Sequence, residues 1–354
     1  MSLNYNSLLA STIKHYKKGF VNNITRDFIL TAMLGAPDLA KDVFGLRVPE
    51  GELAEGIKLI DGGEKIYMPL MYARNTTIEG YSGYDTLNIT PADPFSAAEY
   101  EWRSIAGSVN MDNERLDKNR GDAVKLFDLM KGMMDNLKIS FQESWNDMLI
   151  TAKASGSKEP LGLFDIVKDD PSTNPASGSL GGIDAVANTW WRNYAENFGG
   201  GTFGTDQTGN GFKAIRRLLR GVQYGVEGAK VLVGGEYAFE NVDNALVNQL
   251  RYIGDAEKKL VSAGYQAIRV KGIPMVMEKR ISALRSSGGL SGDAIYALNP
   301  KYLKVWGMKH RWFEPSSVKE PVNQDTQVQH IITRCQFATD NRRMHGVLYN
   351  LPTS

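Results

Sequence analysis

The stretch EKIYMPLMYA, residues 64–73, alternates, with Ile66, Met68 and Leu70 on one face and Tyr67, Pro69 and Met71 on the other. A period of two marks a strand with one buried face. Pro69 has no N–H to give to a ladder, so the strand reads as an edge. The same period returns at residues 98–105, where Ala98, Tyr100, Trp102 and Ser104 alternate with Glu99, Glu101, Arg103 and Ile105. Between the two runs lies NTTIEGYSGYDTLNITPADPF, residues 75–95, rich in Gly, Tyr, Thr, Asn, Asp and Pro. The pattern predicts an antiparallel hairpin over residues 64–108 with a long irregular tip. Two strands alone are marginally stable in water, so this arm calls for a partner, in its own chain or in a neighbouring copy.

Outward from the arm, residues 1–60 read as a loosely organised leader with helical pieces, one at 23–33, punctuated by Gly35, Pro37, Gly45, Pro49 and Gly51. Downstream, Phe127, Met130, Met134, Leu137, Phe141, Trp145 and Met148 recur at steps of three and four. They predict one helix over residues 119–153, about 50 Å long, lying across a sheet, with Gly132 as its weak point. Residues 154–182 are rich in loop-forming types, and the glycine-rich GGGTFGTDQTGNG at 199–211 reads as a boundary. Beyond it the pattern is α/β. Helix stripes run through Phe212–Val222 and Phe239–Ile253, and strands are expected at 229–233, 267–270, 274–278 and 294–298. From residue 301 onward strand character returns in KYLKVWGM, VQHIITRCQFAT and GVLYNL.

The 354 residues carry 41 basic and 40 acidic side chains and 42% hydrophobic residues, enough for a substantial core in two or more subdomains. A net charge of +1 gives no global footprint for nucleic acid, and identical copies repel one another only weakly. The single cysteine, Cys335, excludes an intramolecular disulfide and reads as a small buried apolar residue. The first residues hold no signal-peptide pattern, and no apolar run approaches membrane-spanning length, so no membrane partner is expected.

Catalytic chemistry is not legible. Gly199, Gly201 and Gly204 match G-x-G-x-x-G, but residues 193–198 before them do not read as the buried strand that a dinucleotide fingerprint requires. There is no phosphate-binding G-x-x-x-x-G-K-[ST], no G-x-S-x-G and no H-E-x-x-H. His15, His310, His330 and His345 are too scattered for a metal site on one element. We expect no catalytic residue, cofactor or metal. Trp190 and Trp191 read as anchors between segments, and Arg216, Arg217 and Arg220 as a basic helix face that could meet phosphate or an acidic neighbour.

The order of parts resembles the tailed-bacteriophage major capsid protein with the HK97-type fold. The segments that carry the resemblance are GGEKIYMPLMYARNTTIEGYSGYD (62–85), FSAAEYEW (95–102), GGIDAVANTWWRN (181–193), NPKYLKVWGMKHRWFEP (299–315) and NRRMHGVLYNL (341–351). The resemblance implies an α+β fold with an N-terminal arm (1–60) and an extended β-hairpin loop (61–108). A peripheral domain with a long spine helix would take 109–198 and 301–354, and an inserted axial α/β domain 199–300. It implies a homo-oligomer of hexamers and pentamers forming an icosahedral shell of the virion, assembled in the host cytoplasm. Its partners would be portal and scaffolding proteins, a decoration protein in some members, and packaged double-stranded DNA held without sequence specificity. With about 60 residues ahead of the arm, a fused scaffold of family size is not expected in this chain, and a separate scaffolding protein or prior processing is. Some members weld their shells through a lysine on the extended loop. No lysine stands between Lys65 and Lys118 here, so no such crosslink is expected from the arm.

Tyr72, Tyr81 and Tyr84 are candidate intersubunit contacts, tyrosine being enriched in interface cores, and Arg74 and Trp102 complete the set. Two other readings make different predictions. An encapsulin-type nanocompartment shell would share the fold and package a cargo enzyme. A nucleotide-binding enzyme would use the loop at 199–211.

Overall fold

The computed structural model describes residues 56–90, 93–114, 123–173, 179–204, 210–246 and 267–353, with the backbone alone at 123–131, 138 and 267. The expected helix at 23–33, His15, and the end of the stripe at Leu250 and Ile253 lie outside the described residues.

Two sheets organise the chain. The first joins β1 (Ile57–Ile60), β10 (Leu303–Met308), β12 (Thr326–Thr339) and β11 (Glu314–Pro315) in that order, and β4 (Arg103–Asp112) also pairs with β12. β12 is long enough to serve three neighbours: its first part runs antiparallel to β4, its middle also to β11, and its last residues to β10. Over this sheet lies α1 (Ala123–Ile150), the expected long helix. Phe141, Trp145 and Leu149 are buried on its inner face, with Trp145 edge-on to Trp312 at 6.2 Å and Phe141 edge-on to Phe313 at 5.4 Å. The helix sits close because β4 offers Gly107 beneath it; a methyl there would stand 2.9 Å from Leu137 Cδ1.

The second sheet has six strands in the order β5 (Tyr194–Asn197), β13 (Gly346–Leu351), β9 (Asp293–Leu298), β6 (Val231–Gly234), β8 (Ile273–Met277) and β7 (Ala267–Val270). β6 and β9 are buried along their whole length, as strands covered on both faces must be. α3 (Gly211–Val222) covers β13 and β5, and α4 (Glu236–Leu246) covers β9, β8 and β6. α3 buries Ala214, Ile215, Leu218 and Val222 and turns its arginines outward.

A buried ion pair ties the second sheet's layer to the loop that follows residues 163–166. α5 (Lys279–Ser287) carries Arg285, which is fully buried and donates to Asp169 through both guanidinium nitrogens at 3.1 and 2.7 Å, and to the Tyr296 hydroxyl at 2.7 Å. Asp169 follows α2 (Leu163–Ile166), whose Phe164 stacks on Tyr296 at 5.7 Å.

Several expectations change. Residues 57–60, read as leader, form a strand parallel to β10. Residues 194–197, read as no strand, form β5, a half-buried edge parallel to β13. Residues 346–351, expected to return to the first sheet, run instead through the interior of the second, between β5 and β9. The hairpin is shorter than 64–108, with β2 (Lys65–Met71) pairing β3 (Phe95–Glu101) alone. At Trp102 the buried phase changes from even residues (Ala98, Tyr100) to odd ones (Ile105, Val109, Met111), because β4 leaves the hairpin for β12. A one-residue change of phase exchanges the two faces of a strand, so one run of alternation holds two strands.

Candidate intersubunit surface on the hairpin

The root of the hairpin, β2 with β3, faces the core with Ile66, Met68, Leu70, Ala98 and Tyr100. Each fully buried side chain of this size contributes about 1.5–3 kcal/mol. The Tyr100 hydroxyl donates to the Thr339 carbonyl at 2.8 Å, and burial holds the phenol above its ordinary range. The Glu99 N–H donates to the Gly181 carbonyl at 2.8 Å. Gly181 sits at φ +62°, and a Cβ there would lie 3.0 Å from the Ala98 methyl and 3.2 Å from the Tyr100 ring, so only glycine suits the place. Gln336 Nε2 donates to the Glu101 carbonyl at 2.9 Å, and its Oε1 accepts from the Leu161 N–H at 2.8 Å. The root is therefore fastened to β12, to the 181 turn and to the 161 loop.

Behind Thr339 lies His345, fully buried. The Asn299 N–H donates to its Nδ1 at 3.4 Å, which leaves Nε2–H to donate to Thr339 Oγ1 at 3.4 Å. Burial first, and Arg342 second, push its pKa down to about 3, so the ring is neutral. Arg342 is buried as well, and its guanidinium donates to the carbonyls of Ile166 at 2.6 Å and Trp191 at 3.4 Å.

Beyond the root the polypeptide changes character. Residues 72–90 and 93–94 contribute nothing to the buried core. Their shape comes from short polar bonds. Asn75 Oδ1 accepts from the Thr77 N–H at 2.9 Å, Asp85 Oδ2 from the Ser82 N–H at 2.7 Å, and Glu79 Oε1 from the Asn88 N–H at 3.0 Å. Such side-chain turns organise a loop without burying it. Yet the tip holds apolar side chains: Ile78 is 86% exposed, Ile89 89% and Tyr84 wholly so, with Tyr81 and Leu87 also exposed. Five exposed large apolar side chains within one loop make it a candidate interaction surface.

The five expected contact residues divide. Arg74, Tyr81 and Tyr84 are exposed on the tip. Tyr72 stands at the junction, its ring stacked on Trp190 at 4.9 Å and its hydroxyl donating to the Asp93 carbonyl at 2.9 Å. Trp102 is half-buried at the root, where its Nε1 donates to the Gly63 carbonyl at 2.9 Å. Tyr72 and Trp102 thus hold the hairpin to its own chain. Ile78, Leu87 and Ile89 were not singled out in the sequence; their signal is an apolar residue isolated among Thr, Asn and Gly, with no period to bury it.

The other candidate positions are not gathered into a site. Cys335 is buried, and burial raises its thiol well above the ordinary range. Among the described residues no group of three His, Cys, Asp or Glu could hold a metal ion, and no helix is long and apolar enough to cross a membrane. The glycine loop does follow a strand, β5, and α3 opens at Gly211; residues 205–209 of the loop lie outside the described residues.

The described residues thus form two sheets and a hairpin whose root is buried and whose tip is exposed. Several solved capsid structures are similar to this chain in fold. The cyanophage A-1(L) capsid asymmetric unit matches over 83% of this chain and 90% of its own, at TM-score 0.54 and 15% identity. The capsid of an empty GTA particle matches over 83% and 93%, at 0.54 and 10%. The capsid of Myoviridae phage XM1 matches over 83% and 89%, at 0.51 and 11%. The chain has the fold of these capsid proteins. No protein-family profile and no curated protein matches its sequence.

Proposed function

We infer that this chain is a structural subunit of a tailed-phage-type capsid, a building block rather than a catalyst. The observation that carries the reading is the hairpin: its root is fastened into the chain's own core, while its tip carries Ile78, Tyr81, Tyr84, Leu87 and Ile89 in the open. The capsid fold supplies the context, since it belongs to proteins that tile shells.

In this reading residues 61–101 form the extended loop, and the tip lies across a neighbouring copy with Arg74, Tyr81 and Tyr84 among its contacts. The first sheet with α1 forms the peripheral domain. The six-stranded sheet forms the axial domain and includes β5 and β13. Copies gather as hexamers and pentamers of an icosahedral head around double-stranded DNA, with a portal, a scaffold and, where present, a decoration protein as partners. The arm's tip holds its neighbour without a covalent bond, because residues 66–117 contain no lysine and Lys65, at the root, is paired with Glu99 at 2.9 Å. Mature particles should then run as single chains on denaturing electrophoresis; a ladder of covalent multimers would contradict this.

Electron microscopy of the expressed full chain tests the function. Rings or closed shells are expected. A protein that stays a single subunit at every concentration, with the fold intact by circular dichroism, would overturn the reading.

A further inference from the structure

A cleft of about 690 Å³ opens on the second sheet, between the outer face of α3, the turn at residues 223–230 and the β7–β8 hairpin. Its cations are Lys213, Arg216, Arg217, Arg220, Lys230 and Lys271. They arrive from three separate pieces of chain, so the cluster is a product of the fold and is not a run in the sequence. Periodicity explains half of it: α3 buries its apolar stripe and must place Lys213, Arg216, Arg217 and Arg220 on the other face. The rest comes from tight turns. Lys271 holds the left-handed region at φ +51°, at a hairpin position that glycine or asparagine fills more easily.

One carboxylate lines the cleft, and it is already engaged. Glu227 accepts from Lys301 Nζ at 2.6 Å and from the Tyr302 hydroxyl, which ties the turn to the residues after β9. Of the cations, Arg217 is paired with Glu196 at 2.9 Å, and Arg216 is engaged as well. Lys213, Arg220, Lys230 and Lys271 are exposed and form no direct ion pair among the described residues, although Lys230 lies close enough to Glu227 to help hold its carboxyl down. The whole chain balances 41 basic against 40 acidic side chains. A cleft with six cations and one neutralised carboxylate therefore leaves the remainder net acidic, and the positive potential is concentrated here. Clefts lined by one sign of charge focus the field and gather counter-ions. Arginines and lysines converging from several directions suit an anion with several oxygens, and phosphate offers those.

We propose that this cleft is a phosphate-binding site that takes the phosphodiester backbone of nucleic acid without reading its sequence. The proposal stands on the cleft alone and holds whether or not the chain builds a shell. No aromatic ring lines the cleft, and six of its side chains are cations, so affinity comes mainly from charge and falls with salt.

The test uses the full-length chain as free subunits and a fluorescent DNA duplex, with anisotropy read across a salt series. The variant K213A/R220A/K230A/K271A removes the four exposed cations. The control K158A/R311A/K319A/R334A removes the same charge from exposed positions elsewhere. The cleft variant should lose at least about tenfold in affinity near 0.1 M salt, and its log–log salt slope should shrink by about 3, while the control stays within about twofold of the parent. Equal losses in the two variants would overturn the site. Tripolyphosphate and poly-glutamate of matched charge then serve as competitors. Cleft-dependent binding of tripolyphosphate with no binding of duplex would keep the phosphate chemistry and assign the source to a free polyphosphate. Poly-glutamate displacing DNA as well as polyphosphate does would overturn the assignment in favour of an acidic polypeptide.

Discussion

Along one hairpin, residues 65–71 and 95–101 bury Ile66, Met68, Leu70, Ala98 and Tyr100 in the chain's own core, whereas residues 72–90 leave Ile78, Tyr81, Tyr84, Leu87 and Ile89 in solvent. Both regions carry large apolar side chains. They differ in what holds the backbone. The root is fastened by bonds to segments far away in sequence, from Tyr100 to Thr339 and from Gln336 to Glu101. The tip is shaped by bonds between residues a few positions apart. A root built this way contributes to folding, and a tip built this way leaves its apolar groups available to another molecule. The junction between them is the Tyr72–Trp190 stack.

Substitutions should separate the two roles. The largest effect on stability is expected at the root. Tyr100→Ala removes a buried ring and orphans the Thr339 carbonyl, costing about 3–5 kcal/mol in urea denaturation. A loss under about 1 kcal/mol would mean that the root is not part of the core.

Acid tests the floor beneath the root. His345 is neutral in the fold, with its pKa lowered to about 3, whereas the unfolded chain takes up a proton below about 6.5. Its contribution is complete above the unfolded value and is lost as pH falls toward the folded one, reaching about 2 kcal/mol of loss by pH 5. Asp165 acts in the opposite sense. Burial raises its carboxyl to about 6 from 3.8, so its contribution is complete below the unfolded value and is lost as pH rises through the folded one. Between pH 4 and 6 the two slopes oppose each other. His345→Gln should flatten the acid loss and Asp165→Asn should steepen it, as read from denaturation midpoints at pH 7.5, 6 and 5. Parallel pH profiles for the two variants would contradict these assignments.

At the junction the expected effect is smaller. Trp190→Ala removes the stacked partner of Tyr72, worth about 0.5–1.5 kcal/mol beyond the area it buries. Proteolysis should then cut within residues 72–94 sooner than in the parent, and an unchanged cleavage rate would show that the stack does not fix the tip. The tip itself should be silent in folding. The triple change I78S/Y84S/I89S is expected to shift stability by no more than about 0.5 kcal/mol.

How much of this was legible follows from the same contrast. The alternation at Ile66, Met68 and Leu70 could be read because a half-buried strand writes its period into the sequence. The end of the hairpin could not, because Tyr100 and Ile105 each begin an acceptable alternation and only pairing with β12 decides where the phase changes. The long helix and its end near Ile150 are legible, since its stripe persists through many turns, while the expected start at 119 lies outside the described residues. β5 was missed because Tyr-Ala-Glu-Asn at a half-buried edge carries no apolar signal, and β13 was placed in the wrong sheet because its neighbours lie far away in the chain. On the tip the tyrosines drew notice by residue type, while Ile78, Leu87 and Ile89 passed as loop. The basic cleft was half visible in Arg216, Arg217 and Arg220; Lys230 and Lys271 join them only through folding.

The central claim is that the tip's apolar residues serve another copy of the chain. Its most direct measurement is the assembly of I78S/Y84S/I89S beside the parent, followed by light scattering and electron microscopy across a concentration series. The account predicts a variant that is folded, as stable as the parent, and unable to form rings or shells at concentrations at least tenfold above those where the parent does. A variant that assembles at the parent's concentration into the same particles would contradict it.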